Sequence, residues 1–271
     1  MKNDKSIQLI RDFAKDYLEG DISRLSTFDF KRLKGDRKYG SCHGSPFDCD
    51  NTSLTRAILV VALEDAWPYF DESAMEQGLY RGDTINTFNT MFGPKDEHGG
   101  FMGLDKFNPN KQLLERVTKF YSLYHTIGNF VPLPNKYVRR KSLNTFRGSY
   151  YQWRDYFDRF LRAIDTYFAK GETGIDLFDQ LMSENKESFL MYMQSGGFRQ
   201  MCKNLLLEDY LDEHGVKMMF DMLYWWKSGL SSEEYFAVVN KYLDFCEPFI
   251  LKRGQRMIDK LKDKIDCRCC L

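Results

Sequence analysis

No stretch of this 271-residue chain holds the roughly 18 consecutive apolar residues that a bilayer crossing requires. The opening residues Met1-Lys2-Asn3-Asp4-Lys5 lead into an amphipathic pattern and not an apolar leader, so no secretory signal is expected. Net charge is also missing: 39 Lys and Arg balance 39 Asp and Glu, and the pI is near 6.9. A general nucleic-acid coat or an acidic-membrane binder is usually more basic, so any such role must rest on a local patch. The cysteines number seven, an odd count, and they crowd toward Cys267, Cys269 and Cys270; this is no secreted disulfide framework. Together these features predict a cytoplasmic chain with reduced thiols and no membrane partner. The common catalytic signatures are lacking too. There is no GxxxxGK[ST], no GxGxxG after a strand, no GxSxG elbow and no HExxH, which argues against the commonest ATPases, dehydrogenases, serine hydrolases and zinc proteases. No fixed-period repeat points to a solenoid.

What is present is an ordinary globular balance, 43% hydrophobic and 29% charged, with an aromatic content of 15% that points to a core or groove filled by rings. Residues 6–19 place Ile7, Ile10, Phe13, Ala14, Tyr17 and Leu18 on one helical face. Thr27 to Phe30 reads as a short strand, and the Gly-, Ser- and charge-rich run 34–46 as a loop, functional or disordered. The run 53–67 is apolar nearly all round, which predicts a central helix with Asn51, Thr52 and Ser53 as cap candidates and Pro68 as its stop. A helix after Pro109, capped by Asn108, carries Leu113, Val117, Phe120 and Tyr124 and delivers His125 near its end. Further helices are expected over 149–168, 175–182, 184–194, 197–212, 215–228 and 232–266, the last opened by a capping box at Ser231 to Glu234 and kinked or split at Pro248. The fold class predicted is mainly α: a multi-helix bundle with a loop-rich N-terminal half and a few short strands. We expect a single domain over 1–271, softly divided near Gly171 and Gly174 into a loop-rich half (1–170) and a helical bundle (175–266).

Three polar-aromatic stretches stand out: Arg81 to Thr90, Tyr124 to Asn135, and Leu143 to Gly148. They bring strong hydrogen-bonding groups to loops and element ends, where function concentrates. In this reading His125 acts as acid or base, Asp83 orients it, and Arg147 holds a phosphate or carboxylate through its fork. Thr84, Asn86, Asn129 and Asn144 would contact the ligand. The alternative is that these groups tie loops together in a buried hydrogen-bond network.

Weaker candidates lie elsewhere. Cys42, His43, Cys49 and Asp50 have no common zinc spacing, so no metal is assigned. The tail places Arg268 where a prenylation box needs cysteine. Lys136, Arg139, Arg140, Lys141 and Arg147 lie among Tyr137, Phe146, Tyr150, Tyr151 and Trp153, a mixture that suits single-stranded nucleic acid or a nucleotide but reads first as a solvated helix end over a ring-filled core. The Met and aromatic run from Met218 to Trp226 reads as core, or as a partner surface if exposed.

The succession Gly82 to Phe88, Tyr124 to Phe130 and Leu143 to Gly148, with Arg253-Gly254 near the end, resembles a family of bacterial proteins known only as a domain of unknown function, over roughly 25–265. That resemblance implies no activity, and no cofactor is indicated. The residues themselves predict a polar pocket around His125 for a small anionic ligand, a nucleotide or another phosphate-bearing group. Whether it is an enzyme is left open. The alternative is a non-enzymatic protein–protein interaction module in which the polar stretches are structural.

Overall fold

The computed structural model describes residues 3–42, 46–87, 92–93, 102–149, 156–218 and 229–267. The first amphipathic run forms α1 (Asp4–Tyr17), which buries Ile7, Ile10, Phe13 and Ala14. It packs on α2 (Ser53–Ala62), whose residues from Ala57 to Ala62 are all buried, as its nearly uniform apolarity demands. Thr52 caps α2: its hydroxyl accepts from the Thr55 amide at 3.1 Å.

The strand expected at Thr27 to Phe30 is absent. Two 3₁₀ turns, Ile22–Thr27 and Phe30–Leu33, flank Phe28 and Asp29. Asp21 and Asp29 explain the difference, because each carboxylate accepts an amide two residues on and closes the chain locally.

After α3 (Glu72–Glu76) come β1 (Tyr80–Thr84), α4 (Met102–Asp105), α5 (Lys111–Leu123) and, beyond a 3₁₀ turn at Ile127–Asn129, β2 (Phe130–Pro134). The cap of α5 is Asn110 and not Asn108: the Asn110 side chain accepts from the Leu113 amide at 2.9 Å. β1 and β2 pair antiparallel with Tyr80 opposite Pro134 and Thr84 opposite Phe130. This ladder joins the first two polar-aromatic stretches edge to edge.

The third stretch forms α6 (Leu143–Ser149). Then follow α7 (Phe157–Lys170), α8 (Asp176–Glu184), α9 (Lys186–Gln194) and α10 (Gly197–Asn204). The helix expected over 197–212 stops early, and the one expected from 215 does not start there. A hairpin of β3 (Leu211–Asp212) and β4 (Gly215–Val216) intervenes. Its turn is built by Asp212, which accepts the His214 amide at 2.8 Å, and by Gly215 at φ 123°. Residues 150–155 and 219–228 of the expected helices lie outside the described residues.

The last helix, α11 (Ser232–Cys267), runs unbroken through Pro248 where a kink or split was expected. Its capping box forms as predicted, with Glu234 accepting from the Ser231 amide and hydroxyl at 2.8 Å each. α11 buries Tyr235, Val239, Tyr242, Cys246, Ile250 and Ile258, and it packs on α2, α5 and the turns at Ile22–Thr27 and Ile127–Asn129. The fold is mainly helical, with its few strands in two small sheets. Among the described residues no helix is long and apolar enough to cross a membrane.

One charged side chain lies at the centre of this packing. Arg253 is fully buried and donates to the carbonyls of Leu205 (3.1 Å), Gly128 (3.0 Å) and Phe130 (2.6 Å). Burial, with Arg256 nearby, pulls its pKa down to about 9, so it stays charged at neutral pH. Arg253→Met keeps most of the volume but strands three carbonyls, each unmet buried acceptor costing about 1–3 kcal/mol. Relief of the buried charge offsets part of this. The expected result is a net loss of about 2–3 kcal/mol in urea unfolding. An unchanged midpoint would show that Arg253 holds nothing together.

Candidate functional site

One concavity among the described residues has a volume of about 620 Å³, within the range of small-ligand sites. Its walls come from five places. The turn at Phe30–Leu33 supplies Lys31, with Lys34 just beyond; the segment ahead of α2 supplies Phe47, Asp48, Cys49 and Asp50. The end of β1 gives Asp83 and Thr84, followed by Thr87. Tyr124 and His125, after α5, face α6 with its Asn144, Thr145, Arg147 and Gly148.

The centre of the site is an ion pair. Arg147 donates through Nε and Nη2 to both carboxylate oxygens of Asp83, at 2.7 and 2.9 Å, and Nη2 also donates to the Thr84 carbonyl at 2.6 Å. Both side chains are buried, so the two charges share a medium in which either alone would be strongly disfavoured. α6 can reach β1 in this way because Leu143 and Phe146, on the same helical face as Arg147, are buried in the core.

Thr84 links this pair to a second acidic group. Its hydroxyl donates to Asp50 Oδ2 at 2.9 Å, while Asn51 donates to Asp50 Oδ1 at 2.7 Å and to Asp48 Oδ2 at 3.1 Å. Arg81 pairs with the same oxygen of Asp48 at 3.2 Å. The approach is close because Gly82 has no side chain: a Cβ there would lie 1.7 Å from the Asp50 carbonyl oxygen. Burial, reinforced by the charges of Asp48 and Asp83, holds the Asp50 carboxyl well above its ordinary value. Burial likewise pushes the Cys49 thiol up to about 12, so it is no thiolate nucleophile.

The raised carboxyl has a measurable consequence. Folding takes up a proton at Asp50, so this group's contribution is fully present below its unfolded value of 3.8 and is lost as pH rises toward the folded value. Asp50→Asn cannot titrate. Its melting temperature should therefore gain on the wild type as pH is raised from about 4 to about 8. A pH-independent difference would show that Asp50 titrates normally.

The same lining also carries cations. The Lys31 ammonium meets the Tyr121 hydroxyl and lies 4.0 Å from the centre of its ring. His125 sits between Tyr121 and Tyr124, with ring centres 6.1 and 4.4 Å away, and its carbonyl accepts the Phe30 amide at 3.0 Å. No ion pair joins Lys31 or Lys34 to Asp48, Asp50 or Asp83, although all five line one cavity.

The sequence-predicted residues therefore divide. His125, Asp83, Arg147, Thr84 and Asn144 share the cavity lining. The pairing of Asp83 with His125 is not what the structure shows, because the Asp83 oxygens are engaged by Arg147 and the Thr84 amide. Arg147 likewise spends its fork on Asp83 and not on an incoming anion. Asn86 and Asn129 lie outside the lining and are buried. The Asn129 side-chain Oδ1 accepts from the Asn86 backbone amide at 2.9 Å, and the Tyr210 hydroxyl donates to Asn86 Oδ1 at 2.7 Å. These two asparagines have the structural role weighed as the alternative. Lys31, Lys34, Phe47 and Asp48 were not predicted; of these only Lys34 falls in the Gly-, Ser- and charge-rich run 34–46.

Elsewhere, Lys136 and Arg139 of the basic stretch pair with Glu187 and Asp176, and Phe146 is buried. Tyr150, Tyr151 and Trp153 lie outside the described residues, as do His43, Met219 to Trp226 and Arg268 to Leu271. Among the described residues no three His, Cys, Asp or Glu side chains are grouped to hold a metal ion.

A helical protein folded around one charged cavity is the class these observations define. The chain belongs to a family of unknown function, DUF6994, which it matches over residues 105–257. The match is narrower than the span of roughly 25–265 that the stretches led us to expect; it includes His125, Asn144 and Arg147 but not the lysine and aspartate walls. No curated protein and no solved structure matches the chain.

Proposed function

We propose that the cavity binds a small anionic ligand, a nucleotide or another phosphate-bearing group. The observation that carries this reading is the pair Lys31 and Lys34, cations on the wall of a cavity of about 620 Å³ and without an ion-pair partner among the described residues. His125 stands beside them on the same wall. The anion-holding role first given to Arg147 passes to these lysines, and Arg147 becomes the support of Asp83 and Thr84.

A thermal-shift series with phosphate-bearing ligands tests this. A ligand at 100 times its Kd adds about 2.7 kcal/mol, or roughly 5 °C for a chain of this size. We expect such a shift in the wild type, and its loss in Lys34→Ala and His125→Ala at the same ligand concentration. No shift with inorganic phosphate, a sugar phosphate or a nucleotide would refute the reading.

A further inference from the structure

We infer that the ligand of this cavity is two-ended: a phosphate at Lys31 and Lys34 and a hydroxylated, ribose-like end at Asp48 and Asn144, that is, a sugar phosphate, free or within a nucleotide. The inference rests on the proposed function and specifies the ligand's other half.

The argument starts from which lining groups remain open. The charges on the cavity walls are segregated. The lysines come from the turn at Phe30–Leu33, the aspartates from the segment before α2 and the end of β1, and no ion pair bridges them. Lysines and carboxylates that share one lining without pairing are satisfied together by a molecule that presents an anion to the first and hydrogen-bond donors to the second. A bare phosphate reaching the acidic wall would meet Asp48 unfavourably, and a bare cation would meet the lysines.

Hydrogen bonding narrows the acidic end further. Both oxygens of Asp83 are held by Arg147, and both oxygens of Asp50 by Asn51 and Thr84. Asp48 uses Oδ2 for Arg81 and Asn51, and its carboxylate also meets the Asp50 carboxyl; among the described residues no amide, hydroxyl or cation donates to its Oδ1. The Asn144 side-chain amide, half-buried in the lining, likewise makes no hydrogen bond among the described residues. A carboxylate oxygen that accepts and an amide that both donates and accepts match adjacent hydroxyls, each of which can do both. In the same lining, the half-buried rings of Phe47 and Tyr124 offer apolar surface to a sugar ring or a base.

Calorimetric titration of the full chain separates the outcomes, with inorganic phosphate, ribose 5-phosphate and AMP as probes. Ribose 5-phosphate is expected to bind at least about tenfold more tightly than phosphate, a difference of about 1.4 kcal/mol. Asn144→Ala, which disturbs no hydrogen bond of the fold, should cut that preference severalfold and leave phosphate affinity unchanged. Lys34→Ala should weaken all three probes alike. Tighter binding of AMP than of ribose 5-phosphate would add the base to the recognised part. Equal affinity for phosphate and ribose 5-phosphate overturns the two-ended ligand while leaving the anion site standing. A preference that survives in both Asn144→Ala and Asp48→Ala also overturns it. Binding of none of the probes overturns the anion site as well.

Discussion

Arg147→Ala is expected to lose about 3–5 kcal/mol in urea unfolding, the cost of stranding one partner of a buried pair. The carboxylate of Asp83, only 8% exposed, would keep its charge without the guanidinium that neutralises it from 2.7 Å. Nearby, the Thr84 carbonyl would lose its donor. The double variant Asp83→Leu/Arg147→Met discriminates between charge and shape. Replacing a buried pair by apolar groups of similar volume is often close to neutral, so the double variant should recover more than half of the single variant's loss. If it is as unstable as Arg147→Ala, or worse, the pair is held for its hydrogen-bond geometry and the charge account fails.

Gly128→Ala should be almost as damaging. A methyl group there would lie 1.9 Å from the Ile250 carbonyl oxygen and 2.8 Å from the Gly254 amide nitrogen. Both obstacles are backbone atoms of α11, so no side chain can turn away to make room. The helix must move, and the contacts of Arg253 with the Gly128 and Phe130 carbonyls move with it. Overpacking typically costs about 1–3 kcal/mol, and a backbone clash at a helix crossing should reach about 3 kcal/mol or more. Gly171→Ala is the control: its Cβ meets nothing within 4 Å, and its only penalty is the positive φ of 80°. A Gly128→Ala variant no less stable than that control would show that the crossing is loose.

The sequence carried the fold class because helical periodicity is local. Ile7, Ile10 and Phe13, or Val239, Tyr242 and Cys246, announce a buried face whatever they pack on. Less legible were the places where short polar side chains close the backbone on itself. Asp29 makes a 3₁₀ turn of a segment whose Phe and Thr content reads as strand, and Asp212 with Gly215 makes a hairpin where two expected helices meet. At the site, composition identified stretches but could not assign partners. Nothing local tells Arg147 to choose Asp83 over a ligand, or Asn129 to choose Asn86 over the cavity. Those choices are set by the β1–β2 register and by the burial of α6, both made across long sequence separations. Lys31 and Asp48 escaped notice because their loop has no periodicity from which a shared face could be inferred.

The contacts of Arg253 also set an order of assembly. The turn that places His125 and the strand that pairs with Asp83 are held from behind by a side chain 125 and 123 residues further along the chain. Closing so long a loop costs entropy before any contact repays it, so this docking belongs among the late events of folding. A nascent chain that has already emerged through Gly148 holds every cavity-lining residue, yet lacks the helix that packs on the turn after His125. Binding competence should therefore arrive in one step, when α11 seats against Gly128, and not grow gradually with chain length.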